Sequence, residues 1–280
     1  MKLINAYNLP EAIVNAVSAY SYPPKEGRYS VTDLVSPPQI RQLKMKYWNM
    51  LEEDVSSRLW ALLGQACHAI LDKHSPEEAL SEEKLVVEFE GVTITGRADL
   101  HHEGRLEEYK ITSVFSFLLE RGKVKSEWEN QANLYTWILH KTGRPVKEAW
   151  IRAILRDWKQ SEAIRNSDYP AIPFQSVQVP LWTLEGQERY VRARLEAHKA
   201  LNPACSDEER WLRGEAWAVY KNNNQKAFRV FDNEKSANLL AEIDKKAFRV
   251  VYRPGTYNRC DNFCVVRSVC SQARQGGKNA

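Results

Sequence analysis

Between Leu85 and Thr112 apolar and polar residues fall in short, alternating runs, the period of strands half-buried on one face. Leu85–Glu90, Gly91 and Val92–Asp99 read as a hairpin, His101 to Gly104 as a polar turn and Leu106–Thr112 as a third strand. Together they predict an antiparallel meander. On either side the period lengthens to three or four residues. Pro38 to Lys73, with Leu51, Val55, Leu59, Leu62, Leu63, Ala66 and Ile70, predicts a long helix. Residues 113–142 predict another, with Trp128, Ala132, Tyr135 and Leu139 close to one face and Thr142-Gly143-Arg144-Pro145 as its stop. Ala149–Asp157 and Gln175–Leu181 then read as strands, and Thr183–Ala200 as a helix. This order predicts an α/β fold, a mixed central sheet flanked by helices.

The flanks carry weaker patterns. Pro10 to Tyr20 is a short amphipathic stretch closed by Pro23-Pro24. Tyr29–Val35 runs into Pro37-Pro38, with Thr32 or Asp33 placed to cap a short turn. Toward the C-terminus, Glu215–Tyr220 and Lys226–Phe231 are strand-like and Lys235–Ile243 helical. The pentapeptide Lys226-Ala-Phe-Arg-Val230 recurs as Lys246-Ala-Phe-Arg-Val250, which falls short of the sustained period of a solenoid. The expected organisation is an N-terminal extension over residues 1–28, a core over 29–205 and a C-terminal extension over 206–280 packed on that core.

Composition narrows the class without naming it. With 43% hydrophobic and 27% charged residues in 280, the chain is ordinary globular protein, long enough for a full core. Its apolar runs are far shorter than the roughly 18 residues of a membrane helix. The opening MKLINAYNLPEAIV lacks the pattern of a signal peptide, and five irregularly spaced cysteines suit a reducing compartment, so a cytoplasmic location is expected. A net charge of +4 permits nucleic-acid binding without requiring it. No Gly-x-x-x-x-Gly-Lys-Ser/Thr loop occurs, which argues against a helicase or other nucleotide-driven motor.

The candidate chemistry lies in and around the meander. Glu108 and Lys110 share one face of a strand, about 7 Å apart, while Tyr109 and Glu107 face the other way. If the strands pair through the His101–Gly104 turn, Asp99 comes to lie beside Glu108. Two neighbouring carboxylates repel unless a cation sits between them, and oxygen ligation with room for water suits Mg²⁺ or Mn²⁺. A nearby ammonium can orient water and offset charge on a phosphate; a solvated Asp, Glu, Lys cluster is the plain structural alternative. His68, in Gly64-Gln-Ala-Cys-His68-Ala-Ile-Leu, can reach the same ion or be a core histidine. Gln131 and Tyr135, at i and i+4, share a helix face and can hydrogen-bond the lysine or a nucleic-acid backbone, or simply pack.

His68, then Gly96-Arg-Ala-Asp99, then Glu108-Tyr-Lys110-Ile-Thr-Ser113, then Gln131-x-x-x-Tyr135, in this order, resemble the RecB-type branch of the PD-(D/E)XK nucleases. The pattern is similar to that of CRISPR spacer-acquisition nucleases and bacteriophage recombination exonucleases, and covers about residues 29–160, with Tyr29–Val35 resembling that branch's N-terminal segment. The superfamily's proline before the first aspartate is here Ala98. The resemblance implies a restriction-endonuclease-like core and hydrolysis of DNA phosphodiesters with Mg²⁺ or Mn²⁺. It implies that His68, Asp99, Glu108 and the backbone carbonyl of Tyr109 hold the ion, that Lys110 positions the attacking water, and that Gln131 and Tyr135 shape the site and touch the strand. The function expected is an exonuclease handling DNA ends in recombination or repair, in a bacterial or phage-infected cell, with a recombination or single-strand-binding protein as a potential partner. An inactive DNA-binding or assembly module on the same fold, and a restriction-type endonuclease, are the competing readings.

Three cysteines close the chain in Arg259-Cys-Asp-Asn-Phe-Cys-Val-Val-Arg-Ser-Val-Cys270. Some relatives carry a four-cysteine iron–sulfur cluster, one ligand near the N-terminus and three near the C-terminus. Here Cys260, Cys264 and Cys270 have an x3 first spacing where that pattern has x2, and the N-terminal position reads Ser36-Pro37. Cys67 or Cys205 could substitute; buried free thiols are the reading preferred from sequence, with zinc a third option. Arg253, Arg259, Arg267 and Arg274 against Asp261 make this tail basic. Arg189, Arg192, Arg194 and Lys199 line one predicted helix, read as a solvated face able to track a strand. Of nine tryptophans, Trp48, Trp60, Trp137, Trp150 and Trp158 fall in periodic segments and are expected in the core, with one or two free to stack on an unpaired base.

Overall fold

The computed structural model describes residues 1–19, 22–118, 123–222 and 224–275. The chain divides into two compact units, Met1–Pro203 and Ala204–Ala280. The first is the expected mixed α/β architecture. Its larger sheet has five strands in the order Phe174–Val179, Glu148–Leu155, Arg105–Thr112, Leu100–His102, Leu80–Ser81. Arg105–Thr112 runs parallel to Glu148–Leu155, and the other neighbours pair antiparallel. Strand Glu148–Leu155 buries Ala149, Ile151, Ala153 and Leu155 in strict alternation, the period-two signature of a half-covered strand. The covering element is the helix Ser126–Lys141, which contributes Trp137 and Ile138 to a core shared with Leu106, Ile151, Ile94, Leu34 and Leu195.

The predicted meander is corrected at one point. Lys84–Phe89 and Val92–Arg97 do form a hairpin, but they belong to a separate three-stranded sheet with Arg28–Ser30. The chain leaves that sheet at Ala98-Asp99 and begins a second hairpin, Leu100–His102 with Arg105–Thr112. Both hairpins turn on a Glu-Gly pair, Glu90-Gly91 and Glu103-Gly104, and all four residues have left-handed φ. Two-residue hairpin loops of this kind need φ > 0 at both positions, which glycine supplies at no steric cost.

The long helix expected over Pro38–Lys73 is two helices, Pro38–Tyr47 and Leu59–Lys73, separated by 3₁₀ turns and the short strand Glu52–Asp54, which pairs with Lys2–Ile4. Leu51 and Val55 fit the helical period but are buried on this connection. The helix expected over 113–142 is Val114–Leu118 followed by Ser126–Lys141, and its stretch over residues 119–122 lies outside the described residues, as does Tyr20 at the end of the first amphipathic stretch. Ser126–Lys141 is not amphipathic in its middle: every residue from Ala132 to Leu139 is buried, because helices and sheet enclose it on all sides. The cap of Val31–Val35 is Ser30, in a reciprocal capping box with Asp33.

In the second unit, strand Ala216–Lys221 is flanked by Arg229–Phe231 and Phe248–Arg253, each antiparallel to it, with helix Glu234–Glu242 between them in sequence. The two copies of the repeated pentapeptide therefore lie on opposite edges of one strand, and Phe228 and Phe248 meet at 5.4 Å between ring centroids. Among the described residues no helix is long and apolar enough to cross a membrane.

Candidate metal centre and active site

Leu106 and Glu108 point to the core side of Arg105–Thr112, so Glu108 is a carboxylate built into an apolar face, 1% exposed. Glu107 and Tyr109 take the opposite face, where the Tyr109 hydroxyl donates to Glu107 at 3.2 Å and Arg152 pairs with Glu107 at 2.6 Å. Lys110 shares the face of Glu108. Its Nζ donates to Glu108 Oε2 at 3.1 Å and to Gln131 Oε1 at 2.9 Å, which ties the strand to helix Ser126–Lys141.

Asp99 reaches this place through the break in the meander. Leu100 pairs with Glu107, so Asp99 stands one register step on, beside Glu108. Its Oδ2 accepts the backbone N–H of Tyr109 at 2.7 Å. The N–H and C=O of one strand residue point to the same side, so the Tyr109 carbonyl also faces this edge. Asp99 Oδ1 lies 3.2 Å from His68 Nδ1, which lies 3.1 Å from Glu82 Oε1. The donor atoms of His68, Glu82 and Asp99 are all within 4.8 Å of one another. Tyr135 is buried beside them, and its ring explains Gly96: a Cβ there would come within 2.8 Å of Tyr135 Cε1.

The electrostatics follow from this crowding. Burial, and next the charge of Asp99, hold the Glu108 carboxyl well above the usual carboxylate range, against the pull of Lys110. Hydrogen bonding to Asp99, and then to Glu82, pushes the His68 imidazole up to about 10. Desolvation raises Tyr135 above an ordinary phenol. Without a metal, an imidazolium supplies the positive charge the carboxylates require. Glu108 Oε1 is buried with no hydrogen-bond partner among the described residues. An orphaned carboxylate oxygen beside a His/Glu/Asp group fits a divalent cation with oxygen-rich coordination. This group can hold a metal.

The structure thus brings together His68, Asp99, Glu108, Tyr109, Lys110, Gln131 and Tyr135. Glu82 escaped the sequence reading. It sits between strands with φ of 49°, donating its N–H to the carbonyl of Ala98, and no periodic pattern marks it. Its only sequence signal is an acidic residue shortly before the hairpin.

The other basic stretches mix exposed side chains with internal contacts. Arg189, Arg192 and Lys199 are exposed, as a solvated face requires, with Arg192 paired to Glu188 and Glu90 at the surface, whereas Arg194 turns in to donate to the carbonyls of Leu34 and Ser36. In the tail, Arg253 donates to the Tyr220 hydroxyl, Arg259 to the Glu209 carbonyl, and Arg267 pairs with Asp261; the Arg274 side chain lies outside the described residues. Trp137 is fully buried as expected, whereas Trp60 is exposed.

The cysteines converge in the second unit. Cys205 is gripped at both its N–H and carbonyl by the side chain of Gln272, two residues past Cys270. Burial pushes the Cys205 thiol up to about 12, and Glu209, Cys270, Cys264 and Cys260 add to the rise. Four thiols of the second unit therefore share one neighbourhood, and Cys67 belongs to the first unit.

No protein-family model matches this chain, and no curated protein does. Among solved structures it is similar to SSO0001, at 18% identity and a TM-score of 0.46, over 68% of this chain and 85% of that one. It is also similar to an alkaline exonuclease, LHK-Exo from Laribacter hongkongensis, at 12% identity and a TM-score of 0.40, over 66% of this chain and 92% of that one. The same enzyme in complex with dAMP aligns at 14% identity and a TM-score of 0.40, over 62% and 88%.

Proposed function

We propose that this chain is a Mg²⁺- or Mn²⁺-dependent deoxyribonuclease that works as an exonuclease on DNA ends in recombination or repair, in the cytoplasm of a bacterial or phage-infected cell. The observation that carries the reading is the placement of Asp99 beside the buried Glu108, with Lys110 bonded to Glu108 and Gln131 and with His68 against Asp99. His68, Asp99, Glu108 and the Tyr109 carbonyl would hold the ion, and Glu82, grouped with His68 and Asp99, would join them. When bound, the ion neutralises phosphate charge and makes water a better nucleophile. Lys110 holds its ammonium where it can orient that water and face the charge developing on the phosphate. Gln131 fixes the Lys110 rotamer, and Tyr135 closes the back of the site against solvent.

The test is digestion of end-labelled single- and double-stranded DNA and of covalently closed circles, with Mg²⁺, Mn²⁺ or chelator. Metal-dependent shortening of linear DNA with closed circles spared is the expected result. Cutting of circles would make it an endonuclease, and cleavage unmoved by Asp99→Ala and Lys110→Ala would remove the assigned site.

A second cofactor reading now has a fourth ligand. Cys205, Cys260, Cys264 and Cys270 form a thiol set of the kind that holds iron–sulfur clusters, and it lies wholly within the second unit.

A further inference from the structure

Of the chain's nine tryptophans, Trp60 alone among the described residues has an exposed ring, 60% accessible. Single exposed apolar side chains are common and need no function, but three features set this one apart. The guanidinium of Arg156 lies over the ring, 4.1 Å from its centroid, and backs one face of the indole while the residue stays 60% accessible. Arg156 follows the strand Glu148–Leu155 and donates its N–H to the carbonyl of Thr112, two residues past Lys110. Ring and guanidinium therefore stand at the strand ends that lead out of the candidate active site.

The second feature is the helix itself. Leu59–Lys73 carries both Trp60 and His68. Eight residues separate them, about 12 Å along the axis and about 80° around it, so both look out from one side of the helix. The third is Gly64, midway between them. It has no left-handed φ, and a Cβ there would meet nothing within 4 Å. A mid-helix glycine weakens a helix relative to alanine, and neither a turn nor close packing requires one here. What Gly64 does provide is a bare stretch of helix between the indole and His68.

We infer that Trp60, backed by Arg156, is a stacking platform for an unpaired base of a DNA strand that crosses the bare face at Gly64 to reach the site of His68, Asp99 and Glu108. The inference rests on the nuclease reading and adds its substrate class, a single-stranded or frayed end. Every base offers a π-face, so such a platform tolerates any sequence, and the cation suits a polyanion.

The experiment is fluorescence anisotropy in chelator with a labelled single-stranded oligonucleotide and with the same sequence as a blunt duplex, using the full chain. Trp60→Ala weakens single-strand binding about tenfold or more and leaves duplex binding unmoved, while Trp60→Phe keeps most of the affinity. Gly64→Leu holds or raises the melting temperature, since its side chain enters open space, yet weakens single-strand binding, which keeps the test decisive if Trp60→Ala fails to fold. Unchanged single-strand affinity in Trp60→Ala or Gly64→Leu, or equal losses for both DNA forms, overturns the platform alone. Wild-type protein that neither binds nor cuts any DNA overturns the nuclease reading and the platform with it.

Discussion

Loading the site with a divalent cation must displace a proton. His68 Nδ1 is shared between Asp99 Oδ1 at 3.2 Å and Glu82 Oε1 at 3.1 Å, and these hydrogen bonds hold the imidazolium to about pH 10. A metal ligand must be neutral imidazole. At an assay pH of about 7.5, stripping that proton costs about 3 kcal/mol, roughly 300-fold in apparent affinity. A raised imidazole favours protons over metal, so affinity climbs about tenfold per pH unit throughout the range below about 10 and levels off there. Titration calorimetry of chelator-stripped protein with Mn²⁺, in buffers of differing ionisation enthalpy, measures the protons released. At least about one proton per ion is expected at pH 7.5, because Glu108 is also biased toward its protonated form. His68→Asn reduces the proton release at pH 7.5, leaving the share that belongs to Glu108, and weakens binding above pH 10. Binding with no proton release, or a release that His68→Asn leaves undiminished, refutes the argument that His68 is a ligand.

Replacing Lys110 by Met should lower cleavage at least about a hundredfold while circular dichroism stays native, because the buried Glu108 can keep a proton once the ammonium is gone; an unchanged rate contradicts the role. Gly96→Val should cost about 1–3 kcal/mol in urea unfolding by forcing Tyr135 and Val31 apart, and a neutral result would mean the helix yields freely. His198 is buried, and burial, then Arg194 and Arg41, hold it down at about 4. Its folded value lies below the unfolded one near 6.5, so stability is full above pH 6.5 and falls by up to about 3 kcal/mol toward pH 4; His198→Leu should flatten that fall in urea titrations. Protein purified without oxygen should be brown and carry iron, and Cys205→Ser should lose both; colourless, iron-free wild type would return the four cysteines to plain thiols.

The parts of the site that could be read in the sequence are those fixed by local rules. Glu108 and Lys110 share a face because strand side chains alternate, and the Glu-Gly turns place the hairpins. What could not be read depends on where the chain departs from a period. Leu51 and Val55 continue the helical spacing, yet they are buried on a connection whose strand pairs with the N-terminus. Ser126–Lys141 looks amphipathic at four positions, but eight consecutive residues are enclosed, and full enclosure is a tertiary property. Glu82 and Cys205 lie in irregular segments, and only folding gives each its neighbours.

The break at Ala98-Asp99 shows why the simpler meander could not have built this site. A strand running on unbroken into its neighbour would commit the backbone N–H of Tyr109 to a carbonyl of the ladder. Here that N–H goes instead to a side-chain carboxylate, Asp99 Oδ2, at 2.7 Å. A hydrogen bond to an ionised acceptor is stronger than one to a carbonyl, and it pins Asp99 beside a second acid that burial alone would drive away from charge. The departure from regular sheet is thus the device that sets two carboxylates next to each other, with Lys110 and His68 supplying positive charge beside them.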